Sequence, residues 1–148
     1  MRNRFLQGVA LHLSMHGIGT YAEDGLYADG DLGIVLHARP QSPPDVISLS
    51  AYTVDDDPSL SDTTLGLQVW VRRDSQDPTV TSGTADAVFD LLHGAHDFRL
   101  PSPDDEPGVW VVQCLRRSQV SGGQDESDRW ADIQNFYVTI HYPSAHRI

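Results

Sequence analysis

The sequence predicts an α+β fold: a mixed, mostly antiparallel sheet of about five strands with two helices on one face, in the order α-β-β-β-α-β-β. Two segments carry apolar residues at spacings of three and four, which is typical of amphipathic helices. Five others are short apolar runs or alternate apolar with polar residues, which is typical of strands. Because the strands come in adjacent runs that helices interrupt only twice, this pattern is favoured over an alternating βαβ fold.

The first helix is predicted over residues 3–16. Its apolar residues form one stripe that can pack against a sheet: Phe5, Leu6, Val9, Ala10 and Leu13. Gly17 stands where a helix C-cap is expected. Residues 17–31 are rich in Gly and Asp, which predicts a loop with Tyr21 and Tyr27 as aromatic anchors.

Three strands are predicted next. Residues 34–38 form a short apolar run, and residues 46–54 resume after the proline-rich turn at 40–44, so these two strands are placed to pair. An acidic segment, residues 55–62, then breaks the regular pattern. Residues 65–72 alternate apolar with polar side chains and give the clearest strand signal in the chain.

The second helix is predicted to begin at Asp77, an N-cap residue that is followed by Pro78 in the first turn. Its apolar stripe ends at His93 and Gly94, which stand where a helix end is expected. The stripe consists of Val80, Thr84, Ala87, Val88, Leu91 and Leu92.

Two further strands complete the predicted sheet. Prolines and acidic residues in segment 98–108 favour an extended, solvated connection after the second helix. Strands are then predicted over residues 109–117 and about 133–142. A long polar loop, residues 118–130, is expected to join them.

The composition limits the class of protein. A chain of 148 residues fits one domain, residues 1–148, because it can bury a single core. Mean hydropathy is −0.34, and no apolar run approaches the roughly 20 residues of a membrane-spanning helix. The N-terminal residues lack a continuous apolar h-region, so we expect no secretory signal.

The single cysteine, Cys114, lies in an apolar stretch and is predicted to be a buried small hydrophobe rather than a reactive thiol.

The net charge of −11 argues against a surface built to bind nucleic acid, because such surfaces carry clustered Lys and Arg that neutralise phosphates. Specific DNA binding is therefore not expected, and neither is a membrane partner.

Residues that are able to support catalysis or metal binding do not form a known motif. His12 and His16 are spaced i, i+4 on the first helix, but Leu13 stands where a zinc protease needs glutamate as its general base. His93 and His96 flank the end of the second helix, where an imidazole can interact favourably with the negative end of the helix dipole. The acidic segment lacks the glycine and glutamate of an EF-hand loop. We predict no catalytic, cofactor-binding or metal-binding residues; a small metal-dependent hydrolase using the helix histidines and acidic residues is an alternative.

The polar loop of the predicted hairpin, residues 122–130, is not explained by a plain soluble fold. It combines flexible glycines, carboxylates, an arginine and a tryptophan. This composition suits docking on a neighbouring protein through charge-assisted hydrogen bonds and an aromatic anchor. A long solvated turn is the alternative.

Five segments follow one another across most of the chain: Tyr52–Pro58, Leu67–Arg72, Leu91–Gly94, Gly123–Glu126 with Arg129, and Asn135–Val138. Together they resemble the phage minor capsid or tail terminator family of long-tailed bacteriophages, particularly those of Gram-positive hosts. The predicted order of helices and strands agrees with the small α+β fold of that family.

The resemblance implies a structural virion protein without catalytic residues or a cofactor. Such a protein forms a ring, usually of six subunits, that binds the end of the finished tail tube, halts polymerisation and offers the surface to which the filled head attaches. Its implied partners are copies of itself, the tail tube protein and a head–tail connector protein, while DNA passes through the lumen without specific binding. Its implied location is the head-proximal end of the tail in the virion, after synthesis in the host cytoplasm. Another head–tail joint protein, such as a head completion or connector subunit, is the nearest alternative.

A closed ring needs two different complementary faces on each subunit. We hypothesise that the hairpin supplies one of these faces, through its mixed charges and its tryptophan: Gln124, Asp125, Glu126, Arg129 and Trp130. Arg129→Glu is then expected to weaken assembly and leave the monomer folded, and an unchanged ring would refute the assignment.

A lumen that DNA traverses benefits from repelling phosphates rather than holding them. We hypothesise that carboxylates from two acidic segments line it: Asp55, Asp56, Asp57, Asp104, Asp105 and Glu106. Arginines clustered at the bore would contradict this hypothesis.

Overall fold

The computed structural model describes residues 1–56 and 60–143. Within these residues it contains two helices and seven strands. In chain order they are α1 (Arg2–Met15), β1 (Thr20–Tyr21), β2 (Gly33–Leu36), β3 (Val46–Asp55), β4 (Asp62–Arg72), α2 (Pro78–Leu92), β5 (His96–Arg99), β6 (Trp110–Gln124) and β7 (Trp130–His141).

All the described strands form one sheet, in the spatial order β1-β2-β3-β4-β7-β6-β5. β2 lies parallel to β1 and to β3, and the other four pairings are antiparallel. The sheet is mixed and mostly antiparallel, as predicted, but it has seven strands rather than about five. The two missed strands are β1, with two residues, and β5, with four, which are too short to show an alternating pattern.

Both helices lie within a residue or two of their predicted positions. The Asp77 carboxylate caps α2 as predicted, because it accepts a hydrogen bond from the Thr79 N–H at 2.9 Å. Neither described helix is long and apolar enough to cross a membrane. The predicted neighbours β2 and β3 do pair, in parallel.

The prediction of a long loop over residues 118–130 is wrong for most of its length. β6 continues to Gln124 and β7 starts at Trp130, so only residues 125–129 form the turn. Serine and glycine have low strand propensity, which hides the second half of β6 in the sequence. The ladder with β7 nevertheless holds that half extended.

The hydrophobic core lies on one face of the sheet. Alternate residues of β4 are buried on that face: Leu65, Leu67, Val69 and Val71. Phe5 of α1 and Val88 of α2 are fully buried in the same cluster, so both helices cover one face, as the order of the strands and helices predicted. Full burial of an apolar side chain of this size stabilises the fold by about 1.5–3 kcal/mol.

The predicted anchors and the cysteine also contact the core side. Tyr21 packs against the hydrophobic cluster, and the Tyr27 hydroxyl donates a hydrogen bond to the carbonyl of Ile34. Cys114 is 3% exposed, and burial raises the pKa of its thiol to about 12. The prediction that this residue is a buried small hydrophobe is therefore confirmed.

Arg72 attaches the proline-rich turn to the end of β4. Its buried guanidinium donates hydrogen bonds to the carbonyls of Pro40, Pro43 and Pro44 at 2.7, 2.9 and 2.9 Å. The same group lies over the Trp70 ring, 5.4 Å from its centroid. Because proline has no N–H, this segment cannot form a regular ladder, and its carbonyls need a donor from elsewhere.

We predict that Arg72→Lys lowers the free energy of unfolding by about 2 kcal/mol, because an ammonium cannot reproduce the planar fork that reaches three carbonyls. Arg117→Lys is the matched control, since Arg117 is exposed. Urea denaturation followed by tryptophan fluorescence measures both variants. Equal stability of the two would contradict the anchoring role.

Candidate assembly surfaces

The β6–β7 hairpin ends in a turn, residues 125–129, that its own side chains close. The Asp125 carboxylate accepts hydrogen bonds from the Ser127 N–H at 2.9 Å and from the Arg129 N–H at 3.0 Å. Its second oxygen lies 2.8 Å from Arg129 Nε in an ion pair. The turn is therefore an ordered feature rather than a long solvated loop.

The two side chains predicted as docking anchors point back into their own subunit. Arg129 is 8% exposed, and its Nη2 donates to Gln41 Oε1 at 2.9 Å. Trp130 is half-buried, and its Nε1 donates to the Gln76 carbonyl at 3.0 Å. Arg129→Glu would place a carboxylate beside Asp125 and disturb the turn, so this variant cannot be expected to leave the monomer unaffected. Within residues 122–130, the exposed polar side chains are those of Gln124, Glu126, Ser127 and Asp128.

The two predicted acidic segments lie at the same end of the sheet. β3 ends at Asp55, and residues 104–106 lie in the connection that leads into β6. His141 of β7 pairs with Asp62 at the start of β4 and with Trp110 at the start of β6, which places these strand ends side by side. We call this the acidic end. Its exposed carboxylates include those of Asp55, Asp56, Asp104, Asp105 and Glu106, and Asp57 lies outside the described residues.

One carboxylate of the acidic end is paired within the subunit. Arg4 Nη1 lies 2.8 Å from Asp104 Oδ2, and the same guanidinium donates to the carbonyls of Glu106 and Pro107. The hydrogen bond from Arg4 lowers the pKa of Asp104 to about 2. Asp104 thus holds the connection onto α1, and the charge that this segment presents to solvent comes mainly from Asp105 and Glu106.

The histidines considered for metal binding make ring contacts and hydrogen bonds within the subunit. The rings of His12 and His16 lie 4.5 Å apart, and His12 lies 5.2 Å from the Phe98 ring. Burial lowers the pKa of His12, and the nearby His16 adds to this effect. His93 Nδ1 accepts a hydrogen bond from the Arg116 N–H at 2.9 Å. Within the two described ranges, no three His, Cys, Asp or Glu side chains are grouped so as to hold a metal ion.

A polar cluster is buried on the core side of β7, beneath α2. Gln134 is fully buried and donates to a carbonyl of α2 at 2.8 Å, and it accepts from Arg116 at 3.1 Å. Asp132 is 7% exposed, and its Oδ2 accepts from Gln119 at 2.7 Å. Asp132 Oδ1 is buried and has no hydrogen-bond partner among the described residues. The signal in the sequence is that polar residues occupy core-facing positions of an alternating strand, and this cluster was not predicted from it.

The sequence and the fold both have relatives. A sequence model of the bacteriophage tail terminator protein matches residues 12–142. The chain belongs to this family. It is a structural protein of the phage tail, and the resemblance drawn from the five segments is confirmed. Among solved structures, a chain in the virion of a native gene transfer agent particle has a similar fold, with a TM-score of 0.56 and 20% sequence identity over 72% of this chain and 77% of that one. No curated protein matches the chain.

The buried carboxylate generates a prediction about pH. Burial raises the pKa of Asp132, so its stabilising contribution is complete below the unfolded-state pKa and is lost as the pH rises through the folded-state pKa. We predict that Asp132→Asn raises the free energy of unfolding at neutral pH by about 1 kcal/mol, because it removes a buried charge and keeps an oxygen that accepts from Gln119. Thermal unfolding at several pH values measures this effect, and wild type and variant should converge in acid.

The control is Asp90→Asn, which removes an exposed carboxylate from α2. An Asp132→Asn variant that is no more stable than this control at neutral pH would show that the buried charge carries no cost.

Proposed function

We propose that this protein is the tail terminator of a long-tailed phage. It forms a ring on the end of the tail tube, stops further polymerisation and presents the surface to which the head attaches. The family match over residues 12–142 carries this proposal, and the similarity in fold to a chain in the virion of a gene transfer agent particle supports it. The proposed location is the head-proximal end of the tail.

The proposed ring has six subunits, and its partners are copies of the chain, the tail tube protein and a head–tail connector protein. A ring requires a heterologous contact, in which one surface of a subunit meets a different surface of the next. The proposed role needs no catalytic residue or cofactor, because halting a polymer requires only that the cap occupies the site of the next subunit. A head completion or connector subunit remains the alternative within the same class of virion proteins.

The hairpin is proposed as one of the contact surfaces. Arg129 and Asp125 order the turn from within, and Trp130 fastens its base to the segment before α2. This arrangement presents Gln124 and Glu126 on a rigid support. A rigid polar surface loses little conformational entropy on docking, which favours a specific contact.

The acidic end is proposed to face the lumen. Two segments that are far apart in the sequence lie together there, and each copy carries a net charge of −11. A carboxylate-lined bore repels phosphates, so DNA passes without being held.

Electron microscopy of the purified protein mixed with tail tubes of the same phage tests the function. We expect a ring at one end of each tube, and tubes that no longer elongate when fresh tube protein is added. Tubes that stay uncapped and keep growing would refute the proposal. In a density map of the capped tube, arginines rather than carboxylates at the bore would refute the orientation of the acidic end.

The hairpin surface is tested by charge reversal at its exposed glutamate. We predict that Glu126→Lys weakens ring assembly about tenfold or more. A reversed charge loses the attraction of the native contact and places like charges together, which costs a kilocalorie or more per mole. Glu23→Lys is the matched control, since Glu23 is an exposed glutamate in the loop after β1. Light scattering across a concentration series measures assembly, and equal behaviour of the two variants would remove the hairpin from the interface.

A further inference from the structure

Two strands of the sheet each have an edge along which no described strand pairs. β2 pairs only with the first four residues of β3, so no described strand pairs with the outer edge of β3 over residues 50–55. One backbone group there, the Ala51 carbonyl, lies 3.5 Å from the Arg2 guanidinium. β5 pairs with β6 only as far as Gln113. The residues between α2 and β5 form hydrogen bonds with the backbone of the next part of β6, at Cys114 and Arg116. The outer edge of β6 is therefore free over residues 117–124. We call these two segments the β3 edge and the β6 edge.

The two edges lie at diagonally opposite corners of the sheet. Tyr52 of the β3 edge pairs with Gly66 of β4, which in turn pairs with Tyr137 in the second half of β7. The β6 edge instead pairs with the first residues of β7, starting at Trp130. β2 thus fills one half of one flank and β5 fills the opposite half of the other. The step on the β6 flank is one strand deep, and the step on the β3 flank consists of β2 with the two-residue β1 beyond it. A second copy shifted along the strands can place its β3 edge against the β6 edge of the first.

The composition of these edges is unusual for exposed strand edges. Soluble proteins protect such edges with charged side chains, proline or β-bulges, because unpaired backbone groups bind other strands. The two edges contain no proline, and their only charged residues are Asp55 and Arg117, each at one end of its edge. Three of the exposed large hydrophobic side chains in the described residues lie on the two edges: Tyr52 at 41%, Val54 at 39% and Val120 at 54% exposed.

Both edges offer a regular stretch of similar length. A bulge separates residues 53 and 55 of β3, and others separate residues 116 and 118 and residues 121 and 123 of β6. Regular backbone remains over residues 50–53 and 118–121.

We infer that the β6 edge of one copy pairs with the β3 edge of the next copy, so that the sheet continues from subunit to subunit. This inference rests on the ring of the proposed function and identifies the contact that builds it. Within one subunit the β3–β4, β4–β7 and β7–β6 pairings are all antiparallel, so β6 runs opposite to β3. A neighbour in the same orientation therefore presents its β3 edge antiparallel to β6.

The alternation of side chains selects the register. Val120 pairs with Ile133 of β7, and Tyr52 pairs with Gly66, which pairs with Tyr137 of β7. The side chains of Val120 and Tyr52 therefore lie on the same face of the sheet, the one away from the helices. Residues opposite each other in a continuous sheet share a face. A register with Val120 opposite Tyr52 satisfies this condition and joins two exposed apolar side chains.

Two properties of this contact suit a ring. Backbone hydrogen bonds along the added strand supply affinity, as in other complexes formed by strand addition. The contact joins two different edges, so it is heterologous, which is the kind of contact that a ring requires, whereas a twofold contact would join two like edges and stop at a dimer. The hairpin follows directly after the β6 edge and lies next to the incoming subunit.

The contact is tested by making the same substitution, valine to lysine, at three exposed positions in separate variants. Val120→Lys and Val54→Lys place a charge on the two edges, while Val80→Lys places the same charge on α2, where Val80 is 39% exposed. We expect the two edge variants to need about tenfold or more higher concentration for ring assembly than wild type, and Val80→Lys to assemble normally. All three should melt within a few degrees of wild type. Edge variants that form rings and cap tubes as wild type does would overturn the inference.

Disulfide trapping tests the register. In the double variant Val120→Cys with Tyr52→Cys, oxidation should join different copies into a ladder of covalent oligomers that ends at the ring number, and reduction should return the monomer. Each single variant should stay uncrosslinked. The native Cys114 does not interfere, because it is buried.

The remaining outcomes separate this inference from the proposed function. Dimers from Val120→Cys alone would indicate twofold pairing and overturn the inference. Rings that cap tubes but give no ladder in the double variant would overturn the strand pairing and leave the terminator function standing. Wild-type protein that neither forms rings nor caps tubes would overturn the proposed function, and the inference with it.

Discussion

Burial of a single face of the sheet is the constraint on which the rest of the structure depends. β4 and β7 lie at the centre, and their alternate residues, such as Val69 and Phe136, are fully buried beneath the two helices. A chain of this size has enough apolar surface for one such layer. The opposite face, the strand edges and the strand ends are consequently not covered by the helices. The proposed assembly surfaces all lie in those places.

Charge is distributed to match this division. Copies of a protein with a net charge of −11 repel one another, so a contact between copies is best made by an uncharged surface. The β6 edge provides seven consecutive uncharged residues, Ser118–Gln124. Two acidic segments instead lie at the acidic end, where the proposed lumen would benefit from repelling phosphates. The proposed assembly thus assigns association between copies to the β6 edge and repulsion of phosphates to the acidic end.

Three buried or nearly buried polar side chains each hold one part of the fold in place. Arg72 binds the carbonyls of the proline-rich turn, Gln134 ties β7 to α2, and Arg129 orders the hairpin. Such groups are costly to bury and are retained where they specify one arrangement of loops and strands. The proposed ring would depend on this uniqueness, because a defect in one contact surface would be repeated in every copy.

The sequence by itself determined both helices, the N-cap at Asp77, the buried Cys114, the longer strands and the family. These are local properties: periodicity, capping and short motifs involve residues close together in the chain. Only the tertiary structure decided the parallel pairing of β2, the two short strands, the inward direction of Arg129 and Trp130, and the extension of β6 through Ser118–Gln124. It also brought the two acidic segments to one end and left two edges open. Each of these depends on which strands become neighbours across the sheet, and hydrogen bonds between residues far apart in the chain override the weak local preferences that a sequence displays.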